Sequence, residues 1–577
     1  MTASFQPTPI SPENAELLLI NPDFSKNELG AASMPENHLG LNRIASSLAS
    51  RGHSCQVLDT TGRESSTGGA EELGDWLTEH APRTRVIGFH VNSWNINHIL
   101  RTLTRANASL RDKPLLFGGP LANAEPRALI ELFKKQGCSC IGVVQGFGEK
   151  ITEVILNTNK LSEVEGLWTF EDGQMKEGHS VTLSPEEFER LPFLSLEHHT
   201  FYQNYYKPVL EAGVLSDHTL ETIFASQGLE VNRGCPFQCT YCSVPQYKER
   251  LLTYSPLRVA DELEYLAREA GFFMFTFTNS NILFFEKKWL REFCDEILKR
   301  GMDRYLTWTA YHHPSLLATL EAEDFERVKR AGSDTIVMGV QSFDEAVCKL
   351  FRRPLNTKAL TQQIHAKTRA AGQRLAVDYI TGVPNENLDR VEEAFRYFME
   401  NEIECRNYQL KFYPATKLPM MNLDLSGHDL VPITGNLAPE LEAYAVVPKH
   451  PNPRAAQLDT MIREHNARLV KERPVRLGSY IIENPAQARE LLEITIPNDP
   501  LIPNKVKRAM RIALREMLNP STKDANGGDE PLDPKKLMKT VVMAGPDSPP
   551  IVLAMQKKLR EQLGAEKFEK LRKQYII

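Results

Sequence analysis

Short apolar runs alternate with amphipathic stretches in this chain, and the alternation occurs in two separate series. The first series is AELLLINP at 15–22, CQVLD at 55–59, VIGFHV at 86–91, LLFGGP at 115–120 and GVVQGFGE at 142–149. Brief apolar runs bounded by turn residues read as buried parallel strands. Between the first two, LGLNRIASSLASRGH places Leu41, Ile44 and Leu48 on one helical face, with Gly52 positioned to end the helix. Strand, helix, strand with short turns predicts an α/β, doubly wound, Rossmann-like parallel sheet. Ligands of such sheets gather beyond the carboxyl ends of the strands. The residues standing there are Asn92 and Ser93, Gly118 and Gly119, and the turn from Gly146 to Glu149. Gly118 and Gly119 let backbone approach a ligand closely, because no side chain intervenes.

The second series runs from about Glu221 to Leu425. GLEVNRGC leads into the helix SPLRVADELEYLAREA, with Ser255 as N-cap and Pro256 in its first turn. FFMFTFTNSN, YLTWTAYHH, TIVMGVQS, RLAVDYITGVP and YQLKFYPATKL are further strand candidates separated by helical periodicity, giving about six β/α units. The first of them ends in RGCPFQCTYCSVP, which holds Cys235, Cys239 and Cys242. Three thiolates at this spacing can take three irons of a [4Fe–4S] cube and leave the fourth iron open to an outside ligand. A structural site usually closes with four protein ligands. The other six of the nine cysteines are scattered and read as core thiols, a pattern that suits a reducing cytoplasm.

Composition narrows the rest. At 577 residues the chain has room for about three domains. Its 41% apolar and 25% charged residues suit packed cores, and a net charge of −6 gives no reason to expect nucleic acid or an anionic membrane as partner. MTASFQPTPI lacks the basic and apolar regions of a secretory signal, and no apolar run approaches the length of a membrane span.

With Tyr241 before the last cysteine, the CxxxCxΦC run resembles that of the radical S-adenosylmethionine (SAM) superfamily. Residues 14–160 resemble the cobalamin-binding domain that precedes the barrel in one large subgroup, through LGL, RGHSCQVLD, VIGFHVNS, FGGP and QGFGE in that order. The resemblance implies four regions: a cobalamin-binding-type domain at 1–165, a linker at 166–220, a partial (β/α)6 TIM-like barrel at 221–428, and a mainly helical region at 429–577. It implies three cofactors, a [4Fe–4S] cluster, SAM and cobalamin. The cobalamin contacts would come from Asn92, Ser93, Gly118, Gly119 and Gly146. For SAM, the resemblance points to the Tyr241 backbone at adenine and Gln341 and Ser342 at the carboxylate or ribose. It adds Asp378 and Gly382 of DYITGVPNE along the adenine, with Asn279 and Asn281 of TNSN in place of the acidic amine contacts of relatives. YPATKL at 413–418 resembles a late-barrel segment of the subgroup, and the aromatics Trp308 and Tyr311 are candidates for the barrel mouth. No DxHxxG cobalt-ligand loop occurs; His38 reads as a polar helix-start residue, and His90 and His98 as packing or surface residues.

The activity implied is methyl transfer to an unactivated carbon, or phosphorus, of a small-molecule or peptide substrate. The electron would come from a low-potential donor such as flavodoxin or ferredoxin. Two alternatives stay open: a radical cyclase, rearrangement or C–S bond enzyme with a B12-like domain, and a non-catalytic iron–sulfur protein. The C-terminal helices VKRAMRIALREML and PPIVLAMQKKLREQL, joined through NPSTKDANGGDEPLDP, are expected to cap the barrel over substrate.

Overall fold

The computed structural model describes residues 15–22, 38–60, 69–213, 224, 226–243, 251–278, 286–353, 357–414 and 452–518, with short stretches at 416–418, 421, 423–425, 428–432, 446–449, 521–523 and 529–531. Two sheets organise them. The first comprises β1 (Leu17–Asn21), β2 (Cys55–Asp59), β3 (Val86–His90), β4 (Leu115–Gly118), β5 (Ile141–Val143), β6 (Trp168–Glu171) and β7 (Gln174–Lys176), in the order β2-β1-β3-β4-β5-β6-β7. β1 to β5 are parallel. Both faces are covered: Leu18 and Ile20 of β1 enter one apolar cluster, Leu17 and Leu19 the other. That two-sided burial is why the run is continuously apolar rather than alternating. The strand order reverses between β1 and β3, so the crevice for a ligand lies beyond Asn21 and His90.

This sheet continues past residue 165, into sequence expected to be linker. β6 pairs antiparallel with β5, and β7 with β6. The reason this was invisible is that β7 is Gln-Met-Lys, a short polar edge strand with both ends exposed. Polar edges resist unwanted strand pairing and leave no apolar run to read.

The second sheet contains β8 (Gln227–Glu230), β11 (Met274–Thr278), β12 (Thr307–His312), β13 (Thr335–Gln341), β14 (Arg374–Thr381) and β15 (Glu404–Gln409), all parallel in the order β15-β14-β13-β12-β11-β8; a hairpin of β9 (Asn232–Arg233) and β10 (Leu252–Thr253) stands beside it. Alternation along the strands sends Phe275, Phe277 and Trp308 outward to the helices. Trp308 stacks on Phe277 with ring centroids 5.1 Å apart, meets Phe293 edge-on, and donates its indole N–H to Ala331 O at 2.8 Å. It is core, and its expected place at the mouth is corrected by that parity. Tyr311 has the opposite parity and lies beside Arg406.

The six described strands do not close a barrel, and among the described residues no strand pairs with the outer edge of β15. The helix Pro453–Glu472 covers it with side chains that imitate a neighbouring strand. Asn466 Oδ1 accepts from Cys405 N at 3.0 Å, and its Nδ2 donates to Cys405 O at 2.6 Å. His465 meets Ile403 O at 3.0 Å.

Of the C-terminal region, residues 473–518 do not sit over the mouth. Arg473 pairs with Glu404, Arg476 with Asp334, and Arg304 with Asp499. A Cβ on Gly271 would press on Lys505, and Gly478 packs on Tyr305 O. Glu404, Asp334, Arg304, Tyr305 and Gly271 stand at or before the amino ends of β15, β13, β12 and β11, so 473–518 closes the bottom of the barrel. An amphipathic helix records that it buries one face, not which end of a barrel it covers. PPIVLAMQKKLREQL lies outside the described residues.

Candidate active site: the cysteine loop and the cavity beside it

The cysteine loop leaves the β9–β10 hairpin at Arg233. Gly234 adopts φ 84°, a left-handed turn that a side chain would strain. Arg233 is fully engaged. Its Nε donates to Glu230 at 2.6 Å, Nη2 to Glu230 at 3.0 Å and to Glu149, and Nη1 to Glu149 at 3.1 Å. Phe147 and Phe188 flank the guanidinium at 4.7 and 5.3 Å. Glu149 belongs to the helix Gly148–Leu156 of the first sheet, Glu230 to β8 of the second. Burial pushes the Glu149 carboxyl up, but Arg233 outweighs it and holds the group below the usual carboxylate range. A second buried knot lies behind the first: Arg43 donates to Glu262 at 3.1 Å, Arg258 to the same carboxylate at 2.8 Å, and Arg43 stands 3.6 Å from Glu230. Arg43, Arg233 and Arg258 thus meet Glu149, Glu230 and Glu262, three cations to three anions. Such pairing is what makes buried charge tolerable.

The loop's far end is fastened differently. Thr240 N donates to Phe351 O at 3.2 Å and its hydroxyl to Leu350 O at 2.8 Å, while its carbonyl accepts from Lys417 N and Leu418 N at 2.9 and 3.2 Å. The YPATKL segment is therefore half of this second clasp, a role its resemblance did not specify. Between the clasps, Cys239 is buried while Cys235 and Cys242 are half-buried, and Cys242 N donates to Cys239 O at 3.3 Å. Burial pushes the Cys235 thiol up; a bound metal would strip the proton outright. Among the described residues no three His, Cys, Asp or Glu side chains converge on one ion. A cubane does not require that, since each cysteine binds a different iron. Tyr241 leans on Phe351 at 4.6 Å, and Phe237 stacks on His313 at 3.9 Å. Arg353 was missed in the sequence: its Nη1 reaches Cys239 Sγ at 3.8 Å and its Nη2 donates to Gly339 O. Its only sequence signal was a charged residue in a loop before a proline.

At the strand ends, Gln341 has φ 66°, an uncommon backbone for a side-chain-bearing residue, at a register shift in the β13–β14 ladder. Such outliers persist where the surroundings enforce them, often at functional sites. Ser342 is buried and accepts from Asp344 N at 3.0 Å. Asp378 pairs with Arg406 at 2.7 Å, and that guanidinium lies 5.0 Å over the Tyr311 ring. Burial holds the Asp378 carboxyl above its ordinary value despite Arg406. Gly382, at φ 78°, donates its N–H to Glu386 at 2.7 Å, and burial pushes that carboxyl up to about 7. Asn279 and Asn281 lie outside the described residues.

A cavity of about 380 Å³ opens from the carboxyl ends of β1, β3 and β4 to the cysteine loop. Leu19, His90, Gly118, Gly119 and Gly146 line it on one side, and Glu230, Arg233, Gly234 and Ser243 on the other. Its glycines differ in kind. A Cβ on Gly119 would strike His90 at 2.6 Å, and one on Gly146 would strike Val181 O, so these serve the protein's own packing. At Gly118 the nearest described atom would be 3.9 Å away and at Gly40 3.5 Å, so among the described residues neither position is bare for packing reasons. The space they leave belongs to the cavity. Asn92 does not line it: its Oδ1 accepts from Trp94 N and Asn95 N at 2.8 and 2.9 Å, folding a turn that presents Trp94 towards Tyr413. Ser93 is buried in that turn.

The two histidines here resolve by hydrogen bonding. His38 Nδ1 accepts from Leu41 N at 3.1 Å, capping the helix Leu39–Ala49, so that lone pair is spent. Burial holds His38 below its ordinary value. Asn21 Nδ2 donates to Asp59 at 3.1 Å, which turns its Oδ1 to the Nδ1–H of His90 at 3.0 Å. His90, expected at a packing or surface position, packs edge-on against His38 with ring centroids 4.2 Å apart and lines the cavity.

Residues 229–398 match the family model described as the radical SAM superfamily, and this segment is a radical SAM domain. The chain is 26% identical over 181 residues to the anaerobic magnesium-protoporphyrin IX monomethyl ester cyclase of Cereibacter sphaeroides, covering 31% of this chain and 29% of that protein. It is 23% identical over 369 residues to the hopanoid C-3 methylase of Methylococcus capsulatus, covering 63% and 64%. The chain thus spans less than two thirds of each of these relatives. Among solved structures it shares a fold with TsrM of Kitasatospora setae, a radical SAM methyltransferase with cobalamin and a [4Fe–4S] cluster bound, at TM-score 0.55 and 18% identity over 79% of this chain and 88% of that one. The protein therefore has the fold of the cobalamin-dependent radical SAM enzymes.

Proposed function

We propose that the protein is a cobalamin-dependent radical SAM methyltransferase acting on an unactivated carbon. One observation carries the reading: the cavity of the N-terminal sheet opens directly onto Gly234, the neighbour of Cys235. The residues suit the cofactors. Gly118 and Gly40 leave unfilled space for part of a corrinoid, and Cys235, Cys239 and Cys242 supply thiols for three irons. Arg353 and the end of β13 at Gln341 border the cluster face where the carboxylate and ribose of SAM would lie. When bound, the reduced cluster supplies the electron that cleaves SAM, and the corrinoid supplies a carrier for the methyl group.

The chain's own contribution is placement. Arg353 offers a fixed cation, Arg406 and Tyr311 line the barrel interior where substrate would enter, and the flanking domain excludes water from the space between. Similarity to both a cyclase and a methylase leaves the substrate and bond to be tested. Anaerobic reconstitution with iron, sulfide and hydroxocobalamin, followed by gel filtration and incubation with SAM and dithionite, is the direct test. Retained corrinoid, with both 5′-deoxyadenosine and S-adenosylhomocysteine formed, is expected. Loss of all corrinoid on the column would refute the cobalamin reading, and absence of SAM cleavage would refute an enzyme of this class.

A further inference from the structure

The cavity and the cysteine loop share more than a boundary. Arg233 and Glu149 both line the cavity, and the same two side chains join the N-terminal sheet to the residue that begins the loop. From cavity wall to cysteine the covalent path is Arg233, Gly234, Cys235. The guanidinium is held by hydrogen bonds to two carboxylates from two domains, and two phenyl rings lie against it. Glu149 is also the first acid of the helix Gly148–Leu156, and the residues leading into that helix, Gly146, Phe147 and Gly148, form cavity wall. The cavity wall and the start of the cysteine loop thus share one buried ion pair, Arg233 with Glu149.

We propose that Glu149 is a positioning residue. Through Arg233 it locks the cysteine loop to the N-terminal cavity, so that filling the cavity orders Gly234 to Ser243. This rests on the cobalamin reading above, and concerns where the loop is held rather than the chemistry. A glutamate that merely glued two domains together would affect stability and iron content. It would not make loop order depend on the cavity's occupant.

Anaerobic hydrogen exchange, read by mass spectrometry on the iron-reconstituted full chain with and without hydroxocobalamin, separates these roles. In the native protein hydroxocobalamin should slow exchange both in cavity peptides around Gly118–Asn123 and in the loop peptide around Gly234–Ser243. In Glu149→Gln, an isosteric change that removes the charge, the cavity peptides should still be protected while the loop's response is lost. Glu149→Asp should restore part of it. Should Glu149→Gln fail to fold or hold iron, Arg233→Lys provides the second test, because an ammonium cannot span both carboxylates bidentately; it should lose the loop response likewise. Persistence of that response in Glu149→Gln, or in Arg233→Lys where that variant is used, would overturn the proposal. So would a native loop that ignores hydroxocobalamin while the cavity peptides respond. If the native cavity peptides themselves do not respond, this inference and the cobalamin reading fall together.

Discussion

The two ends of the cysteine loop are held by different physics. At Arg233 the hold is ionic, spans two domains and consists of side chains; at Thr240 it is neutral, lies within one domain and consists largely of backbone hydrogen bonds. Backbone bonds depend on strand and loop geometry, which the barrel provides alone. Buried ion pairs depend on both partners being present, because removing one strands the other in a low-dielectric site. The far clasp should therefore tolerate side-chain change, and the near one should not.

The largest break in this comparison is expected from Glu262→Ala. Glu262 is buried and receives Arg43, Arg258 and the Leu194 N–H at 2.8 Å. Truncation takes the anion from Arg258 and leaves Arg43 only Glu230 at 3.6 Å, at a cost of about 3–5 kcal/mol, seen as a lowered urea midpoint. A result below about 1 kcal/mol would mean that the charges find water in the native state.

Acid should weaken the two regions through different groups. His199 at the domain junction and His312 in β12 are buried and held down to about 3 by burial, from an ordinary 6.5. Their unfolded forms bind protons first, so stability is complete above about 6.5 and falls as pH drops towards 3. At one unit below 6.5 each costs on the order of 1 kcal/mol. Glu149 and Glu262, whose carboxyls are held low, add a further loss only below the ordinary carboxylate value of 4.5. Urea titrations at neutral pH and one unit below the histidine value should show the first loss, and His199→Phe should reduce it. An unchanged midpoint would show that these rings are not neutral and buried together.

Thr240→Val probes the other clasp. It removes the bond to Leu350 O but keeps the three backbone bonds at this residue, so a cost of about 1 kcal/mol is expected, with iron content near native. Loss of iron comparable to that of an Arg233 variant would erase the distinction between the clasps.

How much of this was readable beforehand follows the same division. Parallel strands buried on both faces announce themselves as apolar runs, and the cysteine spacing is a local pattern; the parallel strands of both sheets and the loop could be placed from them, but the antiparallel β6 and β7 could not. Long-range charge pairing is not local. Glu149 and Arg233 are 84 positions apart and Arg43 and Glu262 are 219 apart, and nothing in a single sequence ties one glutamate to one arginine over such separations. The same holds for Arg353 beside Cys239, 114 positions away. Trp308 was misplaced for another reason. An alternating strand has two faces, and without the register of its neighbours neither can be named as the interior.

The smallest expected effect on stability is also the most informative about the cavity. Gly118 and Gly119 are adjacent, yet they should respond oppositely. Gly119 sits at φ 114° with His90 2.6 Å from a would-be Cβ, so Gly119→Ala must strain the backbone and displace a ring, costing roughly 1–3 kcal/mol. Gly118 has ordinary backbone and no described atom nearer than 3.9 Å to a would-be Cβ, so Gly118→Val should change the melting midpoint little while filling space that no described residue uses. If that space receives a corrinoid, Gly118→Val should lose hydroxocobalamin on gel filtration while keeping its iron. If it merely holds water, both cofactors should load as in the native chain. The pair of variants thus separates a glycine kept for the fold from a glycine kept for a ligand.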